Sequence, residues 1–286
     1  MVELVPTLLR QELARLAEDD QRLDGRSQWE GREVSLEVDC LYNAEGSAKV
    51  VMGKTIVYAG VKFELRTPWP DRPTQGSLMC GAELRPVAHR KYEPGPPSPQ
   101  SIELGRVVDR GIRESGCIDM ESLCIVPGEK VWGVMIDIHV LSDGGNIFDA
   151  CGLAAIAALR TAIVPAERFD VGEDYKLKVN GTPIMSSFTR VGGRYIYDPS
   201  EEEELGGDER IHITLGDEGH LHSLQKGLRG GVHAGRICRD IRCGASAMYR
   251  SSNTRGKPGG ELIGKANTKS RRNSTIWSSI RCIRST

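Results

Sequence analysis

The residues best placed to do chemistry are three arginines in the segment SIELGRVVDRGIRES, Ser101 to Ser115. At about 100° per residue, Arg106, Arg110 and Arg113 fall in one narrow sector of a helix, and Leu104, Val107, Val108 and Ile112 fill the arc behind them. A guanidinium ridge can grip phosphates, because each side chain is permanently charged and carries several donors. The same ridge can also be a solvated face: Glu103 is spaced to pair with Arg106, and Asp109 with Arg113. On the helix alone the solvated face is the better reading. A second candidate is the turn Gly144, Gly145, Asn146, Ile147, which opens an Ala-rich helix whose terminal amides can attract an anion weakly. No basic side chain accompanies it, so an ordinary turn is the better reading there.

Other candidates are weaker. His139 lies on a predicted strand, and His212, His220 and His222 lack a convincing ligand set, so no zinc, other metal or cofactor is assigned. Trp69, Tyr92 and Trp132 are as readily core or interface as base-stacking platforms. The loop from Arg66 to Arg72 and the run His89, Arg90, Lys91 could touch RNA or a neighbouring subunit, or simply be exposed.

The elements that must position these residues are legible. An amphipathic helix opens the chain. Strands follow at Glu33 to Leu41, where Val34, Leu36 and Val38 alternate, at Ala48 to Met52 and at Thr55 to Leu65, separated by Asn43, Gly46 and Gly53. A Pro-rich loop leads to a strand near Leu78 to Val87, and Pro99 and Ser101 start the arginine helix. The second half opens with a strand from Val131 to Leu141 and a helix running to about Ile163. That helix has almost no polar face and should be a central helix packed on sheet. Strands at Tyr175 to Val179, Ile184 to Val191, Tyr195 to Tyr197, Arg210 to Leu215 and Leu221 to Lys226 complete an α+β pattern of two related halves, about 28–130 and 131–230. The acidic run Glu201 to Glu204 reads as a solvated loop.

The net charge of −1 conceals an asymmetry: residues 231–286 hold 12 Lys or Arg against 2 acidic residues, leaving 26 basic against 37 acidic in the first 230. This tail, rich in Ser, Arg, Gly and Asn, shows no helical or strand period. It can be a basic RNA-binding arm, a disordered appendage or the product of a frame change near Gly231. Order, charge balance and an expected second terminal helix fail together there, which favours the frame change. No stretch is long and apolar enough to span a membrane, the N-terminus lacks the apolar run of a signal peptide, and none of the 8 cysteines stands in a CxxC pair. These features suggest a cytoplasmic protein without membrane contact or disulfide framework.

RLDGR at Arg22 to Arg26, NAEGSAKVVMGKTIVYAGVK at Asn43 to Lys62, EPGPPSPQSIELGRVVDRGIRES at Glu93 to Ser115 and the Gly-Asp-Glu-Gly run at Gly216 to Gly219 resemble the RNase PH family. More narrowly, they are similar to the subunit of the archaeal exosome that alternates with a catalytic partner in a six-membered ring. The resemblance covers about residues 1–230. It implies the RNase PH-like fold, two pseudo-symmetric βαβα halves with mixed sheets packed on central helices, and a complex that shortens single-stranded RNA from its 3′ end with inorganic phosphate. It also implies a catalytic RNase PH-type partner and RNA-binding cap subunits.

Set against that pattern, two departures matter. Active members carry Gly-Gly-Thr-Arg where this chain has Gly144 to Ile147, so an aliphatic side chain stands at the place of a phosphate-binding arginine. Counting forward from Asp198 places Arg210 at the position of the catalytic aspartate, and an arginine is neither a general acid at neutral pH nor a ligand for a divalent cation. Asp208 or Glu209 could substitute only with a backbone shift. The resemblance carries the RNA-contacting arginines onto Arg106 and Arg110, with Arg113 as a third member, binding backbone phosphates without reading sequence. The expectation is a subunit with no catalytic residue of its own. A self-sufficient RNase PH-like phosphorolytic exoribonuclease is the alternative, and an RNA-binding protein that works through its tail is a third.

Overall fold

The computed structural model describes residues 7–216 and 219–228. The basic tail from Gly231, the terminal helix expected there, and Asp217 and Glu218 of the Gly-Asp-Glu-Gly run lie outside the described residues.

Helix α1 (Thr7–Glu18) buries Leu13 and Ala17 and exposes its charged side. Four strands follow the order expected, β1 (Val34–Val38), β2 (Gly46–Met52), β3 (Thr55–Arg66) and β4 (Ser77–Leu84), and past helix α2 (Pro99–Ser115) comes a short strand not expected from the sequence, β5 (Cys124–Val126). With β6 (Lys130–Ser142) they form a mixed sheet in the order β1-β2-β3-β6-β4, β5 pairing on β6. Only β4 and β6 run parallel, and a parallel pair needs a crossover, here supplied by α2. Division of the chain at 130/131 gives β6 to the second half, but the strand sits inside the first sheet. Register explains this: Val140, Ile138, Ile136 and Val134 stand opposite Val57, Ala59, Val61 and Phe63, so both strands turn their buried residues to one face.

Helix α3 (Ile147–Thr161) is buried along nearly its whole length, as its lack of a polar face requires. It packs on β2 and β3 on one side and on β9 (Ile184–Val191) on the other, while α2 packs between β4 and β12 (Leu221–Gly227). The two helices therefore lie between two sheets. The second sheet runs β10 (Arg194–Tyr197), β9, β11 (Glu209–Leu215), β12, antiparallel throughout, so the mixed character belongs to the first. Strands β7 (Ile163–Val164) and β8 (Tyr175–Lys176) form a small ribbon that lies in sequence between the strands of the first sheet and those of the second. Among the described residues no helix is long and apolar enough to cross a membrane.

The acidic run is not a solvated loop. Residues Glu201–Gly206 form helix α4, capped by Ser200, whose hydroxyl accepts from the Glu203 amide while the Glu203 carboxylate accepts from the Ser200 amide. Glu203 is 1% exposed and holds Arg22, 5% exposed, in a two-point ion pair at 2.5 and 2.8 Å. Arg22 also donates to the carbonyls of Tyr197 and Asp198. The RLDGR segment thus works as a brace between the start of the chain and the second sheet.

Candidate nucleic-acid interface

Helix α2 begins where Ser98 accepts a hydrogen bond from the Ser101 amide at 3.2 Å, with Pro99 in the first turn, and ends at Gly116 in the left-handed conformation (φ 61°). Leu104, Val107, Val108 and Ile112 are buried, and Arg106, Arg110 and Arg113 are exposed. The helix therefore presents the ridge that its spacing predicts, but the three arginines are not equivalent. Arg113 is held by Asp109 at 2.9 and 3.1 Å and by the Leu78 carbonyl at 2.9 Å. Arg110 reaches only Gln225 on β12, at 3.5 Å, the outer limit of a hydrogen bond. Arg106 has no hydrogen-bond or ion-pair partner among the described residues. The expected Glu103–Arg106 pair does not form, because Glu103 is taken by Arg210 of β11, whose Nη2 lies 3.1 and 3.2 Å from its two oxygens.

The Gly-Gly turn is closed upon itself. Gly145 adopts φ 89° and lies so close to Ser200 and Glu201 that any side chain would collide with their backbone. Its amide donates to Asp143 at 3.0 Å, and Arg32 donates to the carbonyls of Gly144 and Gly145 at 2.9 and 3.0 Å. Arg32 also grips Asp198, as does Arg26, and Asn146 donates its side-chain amide to the same carboxylate at 2.7 Å. Burial would raise the Asp198 carboxyl, but Arg32 and Asn146 hold it below the usual range. Ile147 is 2% exposed and belongs to the core. The first amide of the turn that could meet an incoming anion, that of Asn146, donates instead to Glu204 Oε1 at 3.0 Å. Burial, with Asp143 nearby, pushes the Glu204 carboxyl up to about 7, against the pull of Arg210 and of that amide. Protonated or not, its Oε1 occupies the place.

The run His89, Arg90, Lys91, which the sequence leaves open, flanks this turn. Lys91 meets Asp143 at 2.8 Å, the Tyr92 hydroxyl donates to Asp143 at 2.6 Å, and His89 meets Glu201 at 2.8 Å; only Arg90 is exposed. Burial would raise Asp143, yet Lys91 and Tyr92 keep it below the usual carboxylate range. Tyr92 and Trp132 are buried, whereas Trp69 is 69% exposed in the Pro-rich loop.

Arg210 lies over the Phe148 ring, its guanidinium carbon 5.0 Å from the centroid. Glu209 does not share the face of Arg210, because strand alternation turns it to the opposite side, where it is fully buried against Tyr195 and Arg190. Asp208 is exposed in the preceding turn. His212 stacks on Phe148 at 3.8 Å, and its Nδ1 lies 2.6 Å from the Ser187 hydroxyl, which in turn meets Asp149 at 2.6 Å. Burial, aided by the Arg210 charge, drives His212 well below the usual histidine range, so it is a neutral packing residue. Burial likewise pushes Asp149 up to about 6, against its bonds from Ser187 and Asn146. Among the described residues no group of three or more His, Cys, Asp or Glu side chains could hold a metal ion.

Comparison with known proteins agrees with this architecture. Residues 30–165 match the model of domain 1 of the 3′ exoribonuclease family, RNase PH. The chain is 49% identical over 208 residues to the exosome complex component Rrp42 of Archaeoglobus fulgidus, covering 73% of this chain and 80% of that protein. It is 44% identical over 226 residues to the Rrp42 component of Methanosarcina acetivorans, covering 79% and 85%. Among solved structures, a chain of the Archaeoglobus fulgidus exosome with RNA bound to the active site superposes with a TM-score of 0.80 at 42% identity, covering 85% of this chain and 98% of that one.

Proposed function

The chain belongs to the RNase PH family of 3′ exoribonuclease proteins, and from that premise we propose that it is the RNA-binding, structural subunit of an archaeal-type exosome ring, in which a partner subunit carries out phosphorolysis. What supports the absence of catalysis is the occupied turn at α3: Ile147 is folded into the core and the Asn146 amide is taken by Glu204. Phosphorolysis needs cationic or dipolar groups held open for phosphate and an acid or metal ligand for the leaving oxygen. Here the amide is used internally, and Arg210 stands on the strand where the acid is expected.

What remains available is α2. Arg106 and Arg110 are exposed, permanently charged and four residues apart, suited to bind the phosphates of single-stranded RNA near its 3′ end. Arg113, tied to Asp109 and Leu78, is the weaker third member. The ring partner would be a catalytic RNase PH-type subunit, with RNA-binding cap subunits on the assembled ring, in the cytoplasm.

The test is phosphate-dependent shortening of a 3′-tailed RNA by this chain alone, by a catalytic partner alone, and by the two mixed. Activity that requires the partner and is strengthened by this chain supports the proposal. Robust phosphate-dependent activity from this chain alone would overturn it in favour of a self-sufficient enzyme.

A further inference from the structure

Arg106 is exposed and has no partner among the described residues, although an acidic residue sits one helical turn before it. The same helix contains its own control. Asp109 and Arg113, at helical spacing, form a two-point ion pair, as acid–base pairs one turn apart commonly do. Glu103 and Arg106 are also one turn apart and do not pair. The difference is Arg210, whose Nη2 lies between both Glu103 oxygens at 3.1 and 3.2 Å.

Arg210 is well fixed for this purpose. Its side chain is 17% exposed, its guanidinium lies over the Phe148 ring, and Gly227 leaves it room, since a Cβ there would lie 3.1 Å from its Nε and Nη2. Its approach to Glu103 comes from the second sheet, across 107 residues of sequence. A planar guanidinium anchored by stacking loses little freedom when one of its nitrogens holds both oxygens of a carboxylate, whereas a lysine lacks the stacked plane that fixes it.

We propose that Arg210 is a positioning residue for RNA: by holding Glu103 it keeps that carboxylate away from Arg106 and leaves the Arg106 guanidinium free for an RNA phosphate. This rests on the reading that Arg106 and Arg110 contact RNA. Without Arg210, Glu103 returns to its helical neighbour, and a phosphate must displace a carboxylate to bind. The residue at the place of the lost catalytic acid thereby serves the RNA-binding face.

The experiment measures binding of a fluorescent single-stranded oligo(A) to the ring assembled from the full chain and a catalytically inactivated partner, across a salt series. Arg210→Gln should weaken binding by roughly 3- to 10-fold at low salt, the scale of one impaired charged contact, and should reduce the slope of log affinity against log salt by about 0.7, one single-strand phosphate. Adding Glu103→Gln should return affinity to within about twofold of wild type. In an Arg106→Ala background Arg210→Gln should have no further effect. A full Arg210→Gln loss that persists in the Arg106→Ala background would overturn the proposal, since a general charge effect would act on Arg110 as well. Failure of Glu103→Gln to rescue would also overturn it. If Arg106→Ala with Arg110→Ala leaves affinity unchanged, the RNA-contact reading itself falls; if that pair matters and Arg210→Gln does not, only the positioning role falls. Should Arg210→Gln not assemble, Arg210→Lys keeps the charge without the guanidinium plane stacked on Phe148: a loss seen with Arg106 present and absent in the Arg106→Ala background supports the proposal, and no loss or a background-independent loss overturns it.

Discussion

The N-terminal end of α3 and the outer face of α2 lie in one molecule and both concern anions, yet their polar groups are treated in opposite ways. At α3 donors and acceptors alike are used up internally: the carbonyls of Gly144 and Gly145 accept from Arg32, the amide of Asn146 donates to Glu204, and Asp198 accepts from Arg26, Arg32 and Asn146. On α2, Arg106 has no partner among the described residues and Arg110 has a marginal one. Internal satisfaction stabilises the fold and removes reactivity, whereas an unpaired exposed charge contributes little to stability and stays available to a ligand.

Substitutions should separate the two regions. The largest effect is expected from Asp198→Ala: it leaves two partly buried arginines and a fully buried asparagine without their shared acceptor, and should cost about 3–5 kcal/mol in chemical denaturation, with no phosphate-dependent activity gained. Next, Arg106→Ala with Arg110→Ala should lower affinity for single-stranded RNA in the assembled ring by ~10–100-fold at low salt, with stability changed by less than about 0.5 kcal/mol. If that pair destabilises the subunit as much as Asp198→Ala does, the contrast is wrong.

Glu204→Gln sharpens the comparison from the other side. The folded carboxyl sits near 7, above the ordinary glutamate value of 4.5, so the native state binds its proton more tightly than the unfolded chain does. Its contribution is therefore most favourable below about pH 4.5 and is lost as pH rises through about 7. Glutamine removes this dependence while keeping an acceptor for Asn146, so the variant should gain on the order of 1–3 kcal/mol relative to wild type between pH 5 and pH 8. Asp149, raised to about 6 by burial, has the same sign and remains in the variant, so a residual slope is expected. The smallest effect is expected from Arg113→Ala, which should change RNA affinity by less than about threefold because its charge is already countered by Asp109.

Much of this arrangement is written locally in the sequence. The arginine ridge, its apolar backing, the start near Pro99 and the Ala-rich central helix all follow from helical period and turn chemistry, and they stand where that period puts them. What local pattern does not carry is long-range pairing. Glu201 to Glu204 reads as a loop because the acids lack nearby partners; Glu203 finds Arg22, 181 residues away. Glu103 is expected to pair with Arg106 because its actual partner is a strand residue from the other sheet. Strand β6 follows the arginine helix in sequence, and only the parallel pairing with β4 assigns it to the first sheet. The motif Gly144 to Ile147 departs from the pattern the resemblance implies, while the carboxylate that fills the turn comes from α4 and is visible only in three dimensions.

The placement of Ile147 limits what this turn can be made to hold. A phosphate-binding arginine and a core isoleucine want different surroundings, and here the side chain is 2% exposed among Phe148, Ala150 and their neighbours. Ile147→Arg would bury an unpaired charge in space shaped for a branched hydrocarbon, and it would meet a turn whose amide is already committed to Glu204. A single substitution there is therefore opposed by the folding penalty. An arginine at this turn needs companion changes in the core and at Glu204 before it can meet an anion.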